Sequence, residues 1–289
     1  MPINELVDFC FSHYDHQGQC LDCENSEECQ GGCLKCLEYI HQVNTKREFN
    51  CPNITFCYTC HHIHRYSIEI EYLLNKYVSI FINTQQIRLW SIGCGPCSEL
   101  FGLYNFKINN KLPFDIDYKG FDLNKVWYPI HEKIHSMNYF SSEFHYEDFF
   151  KYVQRTDEQP NMLILNYVLS DILRTNKISI DTFISDFCSY VNNIDKCVVI
   201  VNDINLGNTD SGPRYYYEKI VNIIKEKSAL CGGDAGRFHF ANSCKPFWQY
   251  GNQHENNVVQ IIPPENIKVF NPWMECRSAQ LFIIKQPKQ

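Results

Sequence analysis

Two closely spaced glycines are the residues of this chain whose types and spacing most directly indicate chemistry. Gly93 and Gly95 flank Cys94 and follow an apolar run, Leu89 to Ile92, that is typical of a buried strand. Glycine permits a sharp turn and has no Cβ to hold a ligand away from the backbone. Pro96 suits the first position of a following helix. The spacing therefore predicts a strand, a tight turn and a helix N-terminus, an arrangement that holds phosphates and nucleotides.

The residues after this turn indicate which kind of nucleotide it binds. A dinucleotide-binding turn has a third glycine that lets the pyrophosphate approach the helix. This chain has Ser98 at that position, followed by Glu99. An acidic first helical turn repels a diphosphate but tolerates a ligand with a cationic sulfonium and an amino group. The turn therefore favours S-adenosylmethionine (SAM) over NAD.

Further apolar runs predict the rest of a parallel sheet. Each run is nearly continuous, as a strand covered on both faces requires; the runs span residues 118–123, 143–148, 161–167 and 197–203. Helical stretches are expected between them, over residues 123–137, 172–191 and 214–230. The repeated βα pattern predicts an α/β fold with a doubly wound sheet.

Polar residues at the ends of these strands are candidates for binding the cofactor. A carboxylate after the second strand suits the ribose hydroxyls, and Asp122 occupies that position. Asp148, after the third strand, is expected near the adenine. The full set expected to bind SAM is Ser91, Gly93, Cys94, Gly95, Asp122, Asp148 and Asn166.

With these features, residues 66–289 resemble the class I SAM-dependent methyltransferases. The resemblance implies a seven-stranded sheet whose last strand is antiparallel, and methyl transfer by in-line displacement. It also implies a closing hairpin, which would pair residues 267–270 with residues 279–284. Tyr167 and Asp171, after the fourth strand, lie where contacts with the methyl acceptor are expected and are the candidates for catalysis.

The N-terminal segment is rich in cysteine. Nine of the 16 cysteines lie within the first 60 residues, and three pairs have C-x-x-C spacing. Two intervening residues let both thiolates of one turn reach the same ion. The number of residues between the last two pairs is close to the spacing of four-cysteine zinc sites. We therefore divide the chain into a metal-binding module at residues 1–64, a connecting helix at 65–86 and a methyltransferase domain at 87–289.

Part of this segment, from Cys20 to Cys51, resembles the SPASM motif, which binds auxiliary [4Fe–4S] clusters in radical SAM enzymes. One partition satisfies both the zinc spacing and this resemblance. It places Cys20, Cys23, Cys29 and Cys51 on one site and Cys33, Cys36, Cys57 and Cys60 on the other. Thiolate sites accept zinc or iron–sulfur, so Zn²⁺ and [4Fe–4S] both stay open.

Charge bears on the partners of the protein. The chain has a net charge of −7, and residues 1–60 hold nine carboxylates but only three basic side chains. Nucleic-acid binding needs clustered lysine and arginine, so this segment is not expected to hold RNA or DNA. Its acidic face is expected to be solvated or to bind a basic protein or peptide.

Three functions are compatible with the sequence. The first is a SAM-dependent methyltransferase for a small molecule or a peptide or protein acceptor, with the cysteine module as a scaffold or docking site. The second is an RNA methyltransferase with an N-terminal zinc module, and the third is a non-catalytic cofactor-binding interaction protein. The sequence shows neither a basic, apolar leader nor an apolar run of membrane-spanning length, so a cytoplasmic protein is expected.

Overall fold

The computed structural model describes residues 1–15, 32–40, 48–175, 177–204, 213–230, 238–244, 248–249, 263–272, 275–276 and 278–286. None of the helices in these ranges combines the length and the apolar character that a membrane crossing requires.

A mixed β-sheet forms the centre of the molecule. Its strands have the order β3-β2-β1-β4-β5-β9-β6, and β9 is antiparallel to both of its neighbours while the other six run in one direction. The strands are β1 Gln86–Ile92, β2 Asp115–Phe121, β3 Ser141–His145, β4 Met162–Asn166, β5 Cys197–Ile204, β6 Phe238–Cys244 and β9 Ser278–Lys285. Two short strands, β7 Trp248–Gln249 and β8 Glu275–Cys276, pair separately. The strand order reverses between β1 and β4, and such a switch point opens a crevice at the carboxyl ends of the strands.

Helices cover both faces of this sheet. They are α1 Pro2–His13, α2 Gly32–Ile40, α3 Pro52–Asn75, α4 Ser98–Asn109, α5 Tyr128–His135, α6 Phe149–Val153, α7 Leu169–Thr175, α8 Ile180–Asn193 and α9 Pro213–Leu230. One apolar cluster contains residues of the five helices α1 through α5 and of one face of the sheet. A second contains residues of α6, α8 and α9 and of the other face. Successive strand residues alternate between the clusters, as Leu89 and Trp90 do, because side chains along a strand point to opposite faces.

The α/β architecture and the antiparallel strand at the end of the chain agree with the sequence analysis, but the predicted closing hairpin is wrong. Residues 265–270 form a 3₁₀ helix, and β9 pairs with β6 instead. The apolar residues Ile267 and Phe270 are spaced three apart and are both buried, which a 3₁₀ turn achieves as readily as a strand does.

Helix α3 differs most from the prediction. It begins at Pro52 and ends at Asn75, so it crosses the expected boundary at residue 64 without interruption. Leu6, Leu37 and Ile63, from α1, α2 and α3, lie in the same apolar cluster as Leu89 of the sheet. In the part of the chain that the structure describes, the N-terminal helices therefore share a core with the sheet.

Candidate functional site

The glycine turn after β1 is held against the end of β2. The backbone N–H groups of Gly93 and Cys94 both donate to the carbonyl of Phe121, over 2.7 and 3.1 Å. Gly93 has φ of +64°, and a Cβ there would lie 2.9 Å from a methyl carbon of Val168. The turn therefore requires glycine, both for its left-handed backbone and for its close approach to the residues after β4.

The prediction for the helix start is wrong by two residues. Helix α4 begins at Ser98, and Pro96 lies in the turn before it. Cys97 precedes the helix with φ of +59°, a conformation that non-glycine residues seldom adopt. Glu99 is buried and accepts a hydrogen bond from the Tyr118 hydroxyl over 2.7 Å, so it does not face a ligand as the sequence analysis assumed.

Asp122 connects the end of β2 to the glycine turn. Its carboxylate accepts hydrogen bonds from the backbone N–H groups of Gly95 over 3.1 Å and Asn124 over 2.8 Å. Burial raises the pKa of this carboxyl to about 6, against the opposite effect of the two hydrogen bonds. The side chain is fixed in orientation and is ionised at neutral pH.

A cavity of about 540 Å³ lies at the carboxyl edge of the sheet, beneath α3. A volume of this size is typical of small-molecule sites. Six of the seven residues expected to bind SAM line it, namely Gly93, Cys94, Gly95, Asp122, Asp148 and Asn166. The seventh, Ser91, is buried within β1 and does not line the cavity.

Asp148 and Asn166 are also used within the fold. The Asp148 carboxylate caps α6 by accepting from the backbone N–H of Lys151 over 3.0 Å. The Asn166 amide donates to the Ser98 hydroxyl over 2.9 Å and accepts from the Asn202 amide over 2.8 Å. These bonds hold both side chains in place at the edge of the cavity.

The catalytic candidate Tyr167 lies against α3. Its ring stacks on Tyr66 with a centroid separation of 3.9 Å. Its hydroxyl accepts from the Arg65 guanidinium over 2.5 Å and donates to the Glu69 carboxylate over 2.9 Å. Burial raises the pKa of the Tyr167 phenol well above its usual value, so the group stays protonated. Its φ of +59° marks it as a strained residue, and such residues concentrate at functional sites.

The second catalytic candidate, Asp171, lies on α7 and lines the same cavity. Its carboxylate is half-exposed and pairs with the Arg174 guanidinium over 3.0 Å. The structure thus brings Tyr167 and Asp171 to the cavity that Asp122 lines.

The sequence analysis treated residues 65–86 as a connecting helix and assigned none of its side chains to the site. Tyr58 and Tyr66 line the cavity, and Arg65 and Glu69 form an ion pair of 3.2 Å that is almost fully buried. The i,i+4 spacing of opposite charges was visible in the sequence, but on an exposed helix the same spacing only adds surface stability. The ion pair matters to the fold because it is buried between α3 and the edge of the sheet, and only the tertiary structure produces that burial.

The cavity carries an excess of negative charge. Among the described residues that line it, the basic side chains are Arg174 and Lys177, and both are paired with carboxylates, Lys177 with Glu48 over 2.5 Å. Within the described part of the chain, six carboxylates line it: Glu48, Asp122, Glu147, Asp148, Asp171 and Asp186. This balance favours a cationic ligand over a polyanionic one.

The predicted metal module is not supported by the described residues. Cys20, Cys23 and Cys29 lie outside them, and Cys51 is half-buried at the start of α3. Cys33, Cys36, Cys57 and Cys60 are buried on α2 and α3. They are near enough that the charges of the other three add to burial in raising the pKa of Cys57. Even so, no three of them bring their sulfur atoms within 4.8 Å of one another.

A different set of residues meets that criterion. Among the described residues, the group of metal-ligating side chains whose donor atoms all lie within 4.8 Å of one another is Cys94, Cys97 and His131. C-x-x-C spacing thus recurs in the glycine turn, where the sequence analysis assigned Cys94 to the cofactor alone.

The chain matches no protein-family model and no curated protein sequence. Solved structures with a similar fold include a putative class I SAM-dependent methyltransferase from Listeria monocytogenes. It is 12% identical, the match covers 98% of this chain and 88% of that one, and the TM-score is 0.48.

Two further structures are similar to this chain. The CMeT domain of the citrinin polyketide synthase is 10% identical, with 100% of this chain and 66% of that one covered and a TM-score of 0.45. A putative rRNA-methylase from Clostridium thermocellum is 15% identical, with coverage of 75% and 96% and a TM-score of 0.42. These likenesses concern the fold and assign no methyl acceptor.

Proposed function

We propose that this protein is a SAM-dependent methyltransferase that acts on a small molecule or a peptide. The observation that carries the proposal is that the Gly93–Gly95 turn and the Asp122 carboxylate border one cavity at the switch point of the sheet. In doubly wound sheets a nucleoside ligand binds at this point, with its ribose hydroxyls on the acid that follows the second strand.

The electrostatics of the cavity support SAM as that ligand. Ser98 stands where a dinucleotide-binding turn has its third glycine, and it lines the cavity. Three of the six carboxylates are paired with Lys177, Arg174 and Arg155, and the other three leave an excess of negative charge that repels a pyrophosphate but stabilises a sulfonium and an ammonium group.

Methyl transfer from a sulfonium needs chiefly alignment of the acceptor with the methyl group, because the donor is already activated. We assign that task to Tyr167 and Asp171. The Tyr167 phenol stays protonated between Arg65 and Glu69, so its ring positions the acceptor and its hydroxyl does not take the acceptor's proton. Of the carboxylates at the cavity, we assign Asp171 to accept a proton from an acidic acceptor, because it follows the same strand as Tyr167.

Calorimetric titration with SAM tests the cofactor assignment. Asp122→Asn removes the negative charge and should weaken SAM binding about tenfold or more, since a hydrogen bond to a charged group contributes about 1.5–3 kcal/mol. Asp115→Asn is the matched control, because Asp115 begins the same strand at its opposite end and its side chain is 90% exposed. Equal affinity in both variants would contradict the assignment.

Labelled SAM tests the acceptor class. Incubation with cell-extract fractions should place the label in the small-molecule or peptide fraction, and Asp171→Asn should lower the rate while leaving SAM affinity within about twofold. Label in RNA, with binding that weakens steeply as salt increases, would replace this proposal by the nucleic-acid alternative.

A further inference from the structure

Two cysteines of the glycine turn and a histidine of α5 meet on the side of the turn that packs against α5. Cys94, Cys97 and His131 are each at most 3% exposed, and their donor atoms lie within 4.8 Å of one another. Three metal-ligating side chains from two separate elements thus surround one buried point.

We propose that Cys94, Cys97 and His131 bind a zinc ion that fixes the cofactor turn to α5. The Sγ atom of Cys94 lies 3.7 Å from Nε2 of His131. Around a tetrahedral zinc, bond lengths of about 2.3 Å to sulfur and about 2.05 Å to nitrogen place these two ligands about 3.6 Å apart. The two side chains therefore already have the separation that a shared zinc ion requires.

A backbone oxygen borders the same point. The carbonyl oxygen of Gly95 accepts a hydrogen bond from Nε2–H of His131 over 2.7 Å and lies 3.7 Å from Sγ of Cys97. Oxygen and nitrogen ligands of one tetrahedral zinc are about 3.4 Å apart, so the Gly95 oxygen is a hydrogen-bond partner of the histidine and is not placed as a ligand. Zinc binding at Nε2 would replace this hydrogen bond and move the ring proton to Nδ1.

The histidine is held in an orientation that suits a ligand. Its ring stacks on Phe144 with an interplanar angle of 6° and a centroid separation of 4.2 Å. Its Nδ1 atom lies 2.9 Å from the Tyr146 hydroxyl, which leaves Nε2 directed at Cys94 and Gly95. A hydrogen bond to the second ring nitrogen is how proteins fix the orientation of metal-binding histidines.

The zinc ion would also account for the backbone of Cys97. A non-glycine residue in the left-handed region is strained, and Cys97 has φ of +59°. That conformation places its sulfur close to both Cys94 and His131. Zinc binding would displace one proton from each thiol into solvent, and two thiolates would balance the charge of the ion.

Metal analysis of the full-length protein tests the proposal. Cys97→Gly removes one ligand and suits the left-handed backbone, so the variant is expected to fold. It should contain one zinc ion fewer per chain than the wild type. Cys188→Ala, which removes a buried thiol of α8 on the other face of the sheet, is the matched control and should keep the wild-type zinc content.

The proposal fails if Cys97→Gly folds and retains all of its zinc, or if Cys188→Ala loses as much. These measurements are made without SAM, so their outcome is independent of the cofactor assignment.

A second measurement uses only the wild-type protein. In mild denaturant, the alkylation of individual cysteines is followed by mass spectrometry with added zinc or with a chelator. Zinc should slow the labelling of Cys94 and Cys97 at least tenfold relative to that of Cys188 and Cys197, two other buried thiols. An equal effect of zinc on all four cysteines would show general stabilisation of the fold and would overturn the proposal.

Discussion

The two walls of the cavity use their polar groups in different ways. On the sheet-edge wall, which consists of the Gly93–Gly95 turn, Asp122 and Asp148, backbone and carboxylate groups border the cavity directly. On the helical wall, formed by α3, Tyr58 and Tyr66 border it and the charges of Arg65 and Glu69 lie one layer behind.

The two walls are therefore expected to have different roles: the sheet-edge wall binds the ligand, and the charges behind the helical wall stabilise the fold around the cavity. Groups that border the cavity can interact with a ligand, whereas the buried pair interacts mainly with the protein itself. We therefore expect substitutions on the sheet-edge wall to change SAM affinity and substitutions behind the helical wall to change stability first.

The largest effect is expected behind the helical wall. Arg65→Met should lower the free energy of unfolding by about 3–5 kcal/mol, because it leaves the Glu69 carboxylate buried without its ionic partner. Denaturant unfolding measures this loss. The control is Lys268→Met, which breaks an exposed pair with Glu265 and should change little. Similar losses in both variants would mean that burial does not distinguish the two pairs.

The next effect concerns the glycine turn. Gly93→Ala should weaken SAM binding at least tenfold, about 1.4 kcal/mol, because the added Cβ would approach Val168 to 2.9 Å and displace the turn. Gly32→Ala is matched in backbone, with φ of +73°, but has no atom within 4 Å of the added carbon. Calorimetry should show unchanged SAM affinity for this control, and a loss in both would remove the steric explanation.

Binding by the sheet-edge wall should depend on pH through Asp122. The pKa of this carboxyl is raised to about 6 by burial, so SAM affinity should fall as the pH decreases below 6 and the charge is lost. The stability of the ligand-free protein should change in the opposite direction. A raised pKa means that the folded state favours the proton, so this contribution is present below about pH 4 and is lost as the pH rises through 6.

Titrations between pH 4 and 8 measure both trends, with Asp122→Asn as the control. The variant should show a flatter affinity profile. An affinity that increases towards acid pH in the wild type would contradict the role of the carboxylate.

The smallest effect tests whether Asp148 binds SAM or only caps α6. Asp148→Ala should cost about 1 kcal/mol of stability through the lost cap, whereas Asp148→Asn should retain it. If the residue also binds the cofactor, both variants should weaken SAM binding by a few fold. Equal SAM affinity in all three proteins would limit Asp148 to its structural role.

Much of the fold was predictable because buried parallel strands have a strong local signature. The runs around Leu165 and Val201 are continuous in apolar residues, the run that ends at Ile92 is interrupted by Ser91, and each is a central strand. The hairpin failed because residues 267–270 carry too little local information to separate a strand from a 3₁₀ turn. The edge strand β6 forms by pairing with β9, and this long-range contact is not visible in the local sequence.

The cysteines show that local spacing also has limited power to predict a metal site. C-x-x-C spacing places two thiols on one turn, but it does not bring a second pair or a histidine to them. Cys33 and Cys57 have the spacing and do not converge into a ligand set with their partners, whereas Cys94 and Cys97 meet His131 from another helix.

The sequence by itself determined the succession of β1 to β5 along the chain, the glycine turn and the acid that faces it, because each depends on residues close together along the chain. Only the tertiary structure decided which charges are buried, which aromatic rings close the cavity and which cysteines find a third ligand. Those properties depend on how distant segments pack, and packing sets the burial and the distances on which electrostatic and coordination energies depend.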